Sequence, residues 1–169
     1  LVKKLPLEWA FMRDPENIGL KEKYYECPVD LSYWNKNHKN FTVKTRKDYP
    51  EKTWEIVTAD LYIQAQGIRN KDRQSYTGYG WYRTNVELNN NDVQGNVHIM
   101  FPGLFNECWL YVNGQEVAHR ENYKPIWWFN DYRFEWDIDL TGKLKPGENT
   151  IALRIYNPHH FGGMFRRPF

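Results

Sequence analysis

Seven short segments of this chain alternate apolar and polar residues, or stay apolar, over lengths typical of strands. Side chains on a strand point alternately to the two faces of a sheet, so a period of two indicates a half-buried β-strand. The segments are 53–59, 81–88, 96–101, 107–112, 116–120, 132–138 and 150–157. Because turn residues follow each of them and no helical period recurs, the chain is predicted to be an all-β, antiparallel sandwich or barrel.

Two turns support this prediction. Asn113 and Gly114 lie between two of the segments, and both residue types tolerate the positive φ that a two-residue hairpin turn requires. Residues 145–149 read Lys-Pro-Gly-Glu-Asn and are expected to form the turn that opens the last long strand.

The alternation also assigns side chains to the two faces of the sheet. The residues expected in the core are Tyr82, Val86, Ile99, Leu110, Val112, Phe134, Trp136, Leu153 and Ile155. The opposite face would then carry Trp81, Arg83, Trp109 and Arg154 toward the outside. We interpret this outer face as a platform for a flat ligand or as a surface for another domain.

Composition narrows the function classes. The 169 residues suffice for one domain with its own core, so 1–169 is predicted to be a single domain, a module of a larger protein. The net charge of +2 is far from the basic stripe of nucleic-acid-binding proteins. No apolar run approaches the roughly 18 residues needed to cross a bilayer. Nucleic acid and a membrane span are therefore not expected.

Aromatic residues are concentrated in one segment that the turn residues mark as a loop. Residues 121–131 contain Trp127 and Trp128 between a proline and an Asn-Asp pair. Adjacent residues on an extended backbone point to opposite faces, so one core cannot absorb both rings. The apolar C–H faces of sugar rings pack on Trp and Tyr, while planar polar side chains bind the hydroxyl groups.

Four further motifs, taken in order, carry a family resemblance. They are 76–83 (YTGYGWYR), 109–114 (WLYVNG), 137–140 (DIDL) with 144–149 (LKPGEN), and 162–166 (GGMFR). The opening 7–14 (LEWAFMRD) with 17–20 (NIGL) fits as well. The succession resembles the N-terminal sugar-binding domain of family 2 glycoside hydrolases, the β-galactosidase and β-glucuronidase group.

The resemblance implies a galactose-binding-domain-like jelly roll, which in that family precedes an immunoglobulin-like domain and a catalytic barrel. The barrel carries the paired carboxylates of glycoside hydrolysis, so this chain is expected to be non-catalytic. It would act as a carbohydrate-binding module of a secreted, periplasmic or cell-surface enzyme, with a polysaccharide or oligosaccharide and the parent catalytic domain as partners. The alternative is an accessory domain that packs on the barrel and binds no sugar alone.

The chain departs from that family at 121–131, which is longer and richer in aromatic residues than the usual short turn. Loops at sandwich ends commonly carry recognition. The glycan-binding residues are accordingly predicted to be Trp127, Trp128, Arg120, Tyr123, Asn130 and Tyr132. Cations near this segment permit an anionic or galactose-containing polysaccharide.

Other chemistries have little support in the sequence. His159 and His160 are adjacent, project in different directions and have no further ligand at metal spacing, so no metal or cofactor is expected. Cys27 and Cys108 lack the CxxC spacing and could form one disulfide or none.

Overall fold

The computed structural model describes residues 1–41, 49–105, 107–121 and 134–169. Strands dominate this part of the chain, with one short helix, α1 (Ser32–Asn37), and 3-10 turns at His38–Asn40 and Ile63–Gln66. The strands are β1 (Glu8–Asp14), β2 (Glu55–Thr58), β3 (Gly78–Leu88), β4 (His98–Phe101), β5 (Gly103–Phe105), β6 (Glu107–Val112), β7 (Gln115–Arg120), β8 (Trp136–Asp139), β9 (Gly147–Asn157) and β10 (Gly163–Arg166).

The strands form two layers. Six of them make one antiparallel sheet in the order β2-β1-β3-β9-β6-β7. The antiparallel pairs β4–β8 and β5–β10 form the second layer. The long strands β3 and β9 pair over eleven residues in the middle of the large sheet. The predicted antiparallel β-sandwich is confirmed.

The core lies between these layers and confirms the predicted register. Leu110, Leu153 and Ile155 have no exposed surface, and they pack with residues of β4, β8 and β10 in the second layer. Phe134 and Trp136 are half-buried, while Glu135 and Asp137 beside them are exposed. A one-residue slip would have exchanged these faces.

The outer face of the large sheet differs from the prediction. Arg83 and Arg154 do lie on the same side as Trp81, but Trp81 has no exposed surface at all. A second apolar cluster covers it, built from the outer face of the sheet and the chain's own residues 18–31 together with Trp54. This part of the face is therefore an internal layer and no platform for a ligand.

One buried carboxylate turns the chain back over the outer face. At the end of β1, Asp14 accepts hydrogen bonds from the backbone N–H groups of Ile18 (2.8 Å) and Gly19 (2.9 Å). The same carboxylate accepts a third from the indole Nε1 of Trp81, at 3.1 Å. A Cβ at position 19 would lie 2.1 Å from that indole nitrogen, so the reversal requires Gly19.

Two buried arginines then hold the covering segment on the sheet. Arg83 donates to the carbonyl oxygens of Tyr24 (2.7 Å) and Cys27 (2.9 Å). Arg154 donates from Nη2 to Oδ1 of Asn17, at 2.7 Å. All of these acceptors are neutral oxygens, so both guanidinium groups anchor the covering layer through hydrogen bonds to uncharged partners.

The hairpin between β6 and β7 has the predicted turn. Asn113 and Gly114 have φ values of 49° and 81°, the left-handed conformations that this turn requires. The Asn113 side chain also accepts a hydrogen bond from the backbone N–H of Thr150, at 2.9 Å. The tip of this hairpin is therefore tied to β9.

Both cysteines are free thiols. Cys108 belongs to the inner core, whereas Cys27 packs against the outer cluster, so the large sheet separates them. None of the helices in the described part of the chain is long and apolar enough to span a membrane.

We expect Asp14→Asn to lower the free energy of unfolding by roughly 2–4 kcal/mol, because an amide nitrogen cannot accept hydrogen bonds and leaves buried donors unpaired. Urea denaturation followed by tryptophan fluorescence measures this loss. Asp72→Asn, at an exposed turn, is the control and should change little. Equal effects of the two substitutions would show that the Asp14 carboxylate does not hold the reversal.

The two thiols should differ in reactivity. Burial raises the pKa of the Cys108 thiol to about 11, so at pH 8 it stays almost entirely protonated as well as inaccessible. Burial also raises the pKa of Cys27, but this side chain is only half-buried. With a thiol-reactive chromogenic disulfide we expect Cys27 to react in the native protein and Cys108 only after unfolding. A Cys27→Ser variant that still reacts quickly would contradict this.

Candidate functional site

One of the six predicted site residues lies within the described residues. Arg120 ends strand β7 and is half-buried. Trp127, Trp128, Tyr123, Asn130 and Tyr132 lie outside the described residues. For these five residues the binding role stays a prediction.

The guanidinium of Arg120 contacts the second layer of the sandwich. Its Nη2 donates to the carbonyl oxygen of Leu104 at 2.7 Å, and Cζ lies 5.5 Å from the ring centroid of Trp136. The Nη2 atom of Arg120 also lies 3.8 Å from the Sγ atom of Cys108. The side chain therefore ties the end of β7 to β5 and β8.

The chain on the other side of segment 122–133 is held at the same place. The backbone carbonyl of Phe134 accepts a hydrogen bond from the N–H of Leu104, at 2.9 Å. Leu104 has no exposed surface. The two flanks of the segment thus meet on one buried residue of β5.

A row of aromatic rings extends from this point across the surface. Phe134 lies 5.8 Å from Phe105 and 5.2 Å from Phe165, measured between ring centroids. Tyr62 stacks on Phe165 at 4.7 Å and lies 5.6 Å from Phe161. Phe161, at the far end, is 56% exposed. We name Phe105, Phe134, Phe165, Tyr62 and Phe161 the aromatic row.

Polar and charged groups lie beside the aromatic row, at Phe161 and at Phe165. His159 and His160 are exposed next to Phe161, and Cζ of Arg166 lies 5.8 Å from the ring of Phe165. Burial raises the pKa of the Tyr62 hydroxyl, which therefore stays a neutral donor at any physiological pH. Among the described residues no group of three or more His, Cys, Asp or Glu side chains could hold a metal ion.

A groove of about 450 Å³ opens at the other end of β8. Its apolar wall includes Val86, Ile99 and Ile151, and its rim includes His98 and Asp137, which pair at 2.9 Å. The groove has the volume of a small-ligand site, but among the described residues that line it Phe169 is the one Phe, Tyr or Trp. Its lining thus differs from the aromatic surface expected for sugar binding.

None of the five members of the aromatic row was among the predicted site residues, and Phe134 was expected in the core. Phe105 and Phe165 lie in strands of three and four residues, too short for a period of two to be recognised. The GGMFR motif, which includes Phe165, was the one available signal, but it marked family likeness and gave no position in space.

The fold and this surface define a class: an antiparallel β-sandwich in which the chain on both sides of segment 122–133 is fixed on Leu104. Residues 2–164 match the family model described as "Glycosyl hydrolases family 2, sugar binding domain". The chain belongs to this family, and the part that it represents is the sugar-binding domain.

Curated relatives are longer proteins. The chain is 29% identical over 76 residues to an exo-β-D-glucosaminidase of Amycolatopsis orientalis, covering 45% of the chain and 7% of the relative. It is 23% identical over 133 residues to a putative β-glucuronidase of Formosa agariphila, covering 72% of the chain and 12% of the relative. The chain thus spans a small part of the relatives that it matches.

Solved structures show the same fold. A β-glucuronidase from an uncultured Clostridium species superposes with a TM-score of 0.69 at 14% identity, over 98% of this chain and 28% of that one. A β-glucuronidase of Ruminococcus gnavus superposes with a TM-score of 0.66 at 18% identity, over the same shares. At these identities the likeness concerns the fold.

We expect Arg120→Ala to lower the free energy of unfolding by roughly 1–3 kcal/mol, because it removes a charged hydrogen bond to the Leu104 carbonyl and a cation–π contact. Urea denaturation measures the change. Glu116→Ala, at an exposed position of the same strand, is the control. If the two variants were equally stable, Arg120 would not be holding the end of β7.

Proposed function

We propose that this domain is a non-catalytic carbohydrate-binding module. It binds a polysaccharide through the aromatic segment 121–131 and assists an attached glycoside hydrolase that is secreted, periplasmic or on the cell surface. Membership of the family 2 sugar-binding domains is the observation that carries the proposal. The catalytic barrel would belong to the rest of the parent protein.

The fixed flanks of the segment support a binding role. Arg120 and Phe134 both form a hydrogen bond with the backbone of Leu104, so the two flanks of segment 122–133 are fixed on one buried residue. A loop held this way can be long without loosening the sandwich, because the entropic cost of closure grows slowly with length.

The aromatic row supports the choice of a carbohydrate as ligand. The aromatic row includes Phe134, the first described residue after the segment, and continues to the exposed ring of Phe161. Flat rings offer the apolar surface on which sugar C–H faces pack, and exposed histidines nearby offer donors and acceptors for hydroxyl groups. An extended row suits a chain of several sugars.

A second candidate function is that of an accessory domain that packs on the catalytic barrel. The apolar side chains of Leu61 and Phe161 favour it, since they are 48% and 56% exposed. Tyr62, the residue after Leu61, lies 5.6 Å from Phe161, and exposed apolar groups on one surface often mark interfaces. Retardation of the isolated chain in native gels that contain soluble polysaccharides separates the two candidates, since an accessory domain would migrate unchanged in every gel.

We expect Trp127→Ala and Trp128→Ala to abolish this retardation with little change in melting temperature. Stacking on one ring contributes about 0.5–1.5 kcal/mol, so binding should be weak for single sugars and stronger for longer chains. Trp34→Ala, at a half-buried tryptophan of helix α1, is the control. Should both loop variants melt many degrees lower and still bind glycan, the two rings would be core residues and the site would lie elsewhere.

A further inference from the structure

The groove of about 450 Å³ lies at the end of the sandwich where β3 ends and β9 begins. Its floor is the end of the inner core, since the buried side chains of Ile99, Leu140 and Ile151 line it. The half-buried side chains of Val86 and Leu144 also line it and pack against the same core. The two layers therefore leave an aliphatic slot between their ends.

Backbone hydrogen bonds hold the walls of this groove in place. Residues 1–5 form one wall, and the N–H of Leu5 donates to the carbonyl oxygen of Pro168, at 3.0 Å. Phe169 and Met100 exchange two backbone hydrogen bonds, of 3.0 and 2.7 Å, and both of these residues line the groove. A site whose walls are already fixed loses little conformational entropy when a ligand binds.

The charged side chains on the rim of the groove compensate one another. Nζ of Lys3 lies 3.3 Å from Oδ2 of Asp92, and Nδ1 of His98 lies 2.9 Å from Oδ1 of Asp137. Asp139, just outside the lining, lies 4.0 Å from Nε2 of His98. Among the described side chains that line the groove, two positive charges face two negative ones when His98 is neutral: Lys3, Lys4, Asp92 and Asp137. The rim thus has no surplus of positive charge for an anion, and a neutral ligand fits it best.

Three amides on the rim are free to bind the hydroxyl groups of a ligand. Asn91, Gln94 and Asn96 line the groove and are exposed, and within the described part of the chain no hydrogen bond uses their side-chain amides. Each amide group both donates and accepts hydrogen bonds, as a hydroxyl group does. The floor below them consists of branched aliphatic side chains, which suit an alkyl chain because its burial removes apolar surface from water.

We propose that the groove binds a neutral amphiphile with the chemistry of an alkyl glycoside. The alkyl chain lies on the aliphatic floor, and the hydroxyl groups of the sugar head bind the amides of the rim. Burial of the chain supplies most of the affinity, while the compensated charges and the amides select a neutral, hydroxylated head. This inference does not rest on polysaccharide binding by segment 121–131.

Isothermal titration calorimetry of the 169-residue chain with n-octyl β-D-glucoside, kept below the concentration at which it forms micelles, tests this inference. We expect saturable binding with one ligand per chain. Methyl β-D-glucoside, which has the head without the alkyl chain, should bind more weakly by a factor of about ten or more. Nonanoate, which carries the same alkyl chain on a carboxylate, should bind about fivefold more weakly than the glucoside.

Val86→Trp fills the groove and should weaken binding of octyl glucoside by a factor of about ten or more. Glu87→Trp is the matched control, because this residue is exposed on the opposite face of β3, and it should leave binding unchanged. If circular dichroism shows that Val86→Trp does not fold, Leu144→Trp takes its place with the same expectation. Replacing Gln94 and Asn96 together by Ala should weaken binding of octyl glucoside about fivefold and leave binding of nonanoate unchanged.

Unchanged binding of octyl glucoside by a folded groove-filling variant would overturn the inference, and so would the absence of saturable binding. Nonanoate that binds as tightly as the glucoside would overturn the neutral head. A dimer in size-exclusion chromatography that Val86→Trp dissociates and Glu87→Trp does not would show that a second copy of the chain occupies the groove, which also contradicts the inference. Trp127→Ala should leave binding of octyl glucoside unchanged, so this inference and the proposed function fail separately.

Discussion

The whole outer half of this domain depends on the carboxylate of Asp14. It stands where β1 leaves the sheet and accepts three hydrogen bonds, two from the backbone N–H groups that follow and one from the indole of Trp81. A buried carboxylate is stable only when hydrogen-bond donors replace its lost hydration. The sharp reversal that provides those donors directs residues 18–31 over the sheet, where they enclose a second apolar cluster. The large sheet is consequently buried on both faces along much of its length.

Much of the fold could be predicted from the sequence because its strands obey a simple rule. Where one face meets the core and the other is polar, alternation gives both the position of the strand and the direction of each side chain, as for Leu153 and Ile155 in β9. The same rule misled for Trp81. The predicted face of the sheet was correct for Trp81, but the residues that bury this ring come from an irregular segment whose hydropathy has no regular period. The interactions that hold this segment run through a carboxylate and carbonyl oxygens, which leave no pattern in hydropathy.

The surface that flanks the aromatic segment was harder to foresee for a related reason. Arg120 and Phe134 were both recognisable as residues near a loop, but nothing in their spacing shows that each bonds to Leu104. The rings of Tyr62 and Phe165 are far apart in sequence, and they stack where the backbone N–H of Ile63 donates to the carbonyl oxygen of Gly162, at 3.3 Å. Contacts made across layers depend on topology, which short-range patterns do not contain. The family likeness supplied the topology, and the described residues supply the contacts.

The shared support on Leu104 has an evolutionary consequence. When both ends of an insertion are fixed to one buried residue, its length and composition can change without moving any strand, and the added closure entropy remains small. Under the proposed function, mutations between the two ends would then be selected mainly for their effect on binding. A sandwich built this way can diversify its specificity quickly while its framework stays the same. The same arrangement makes the position a natural place to graft foreign recognition sequences.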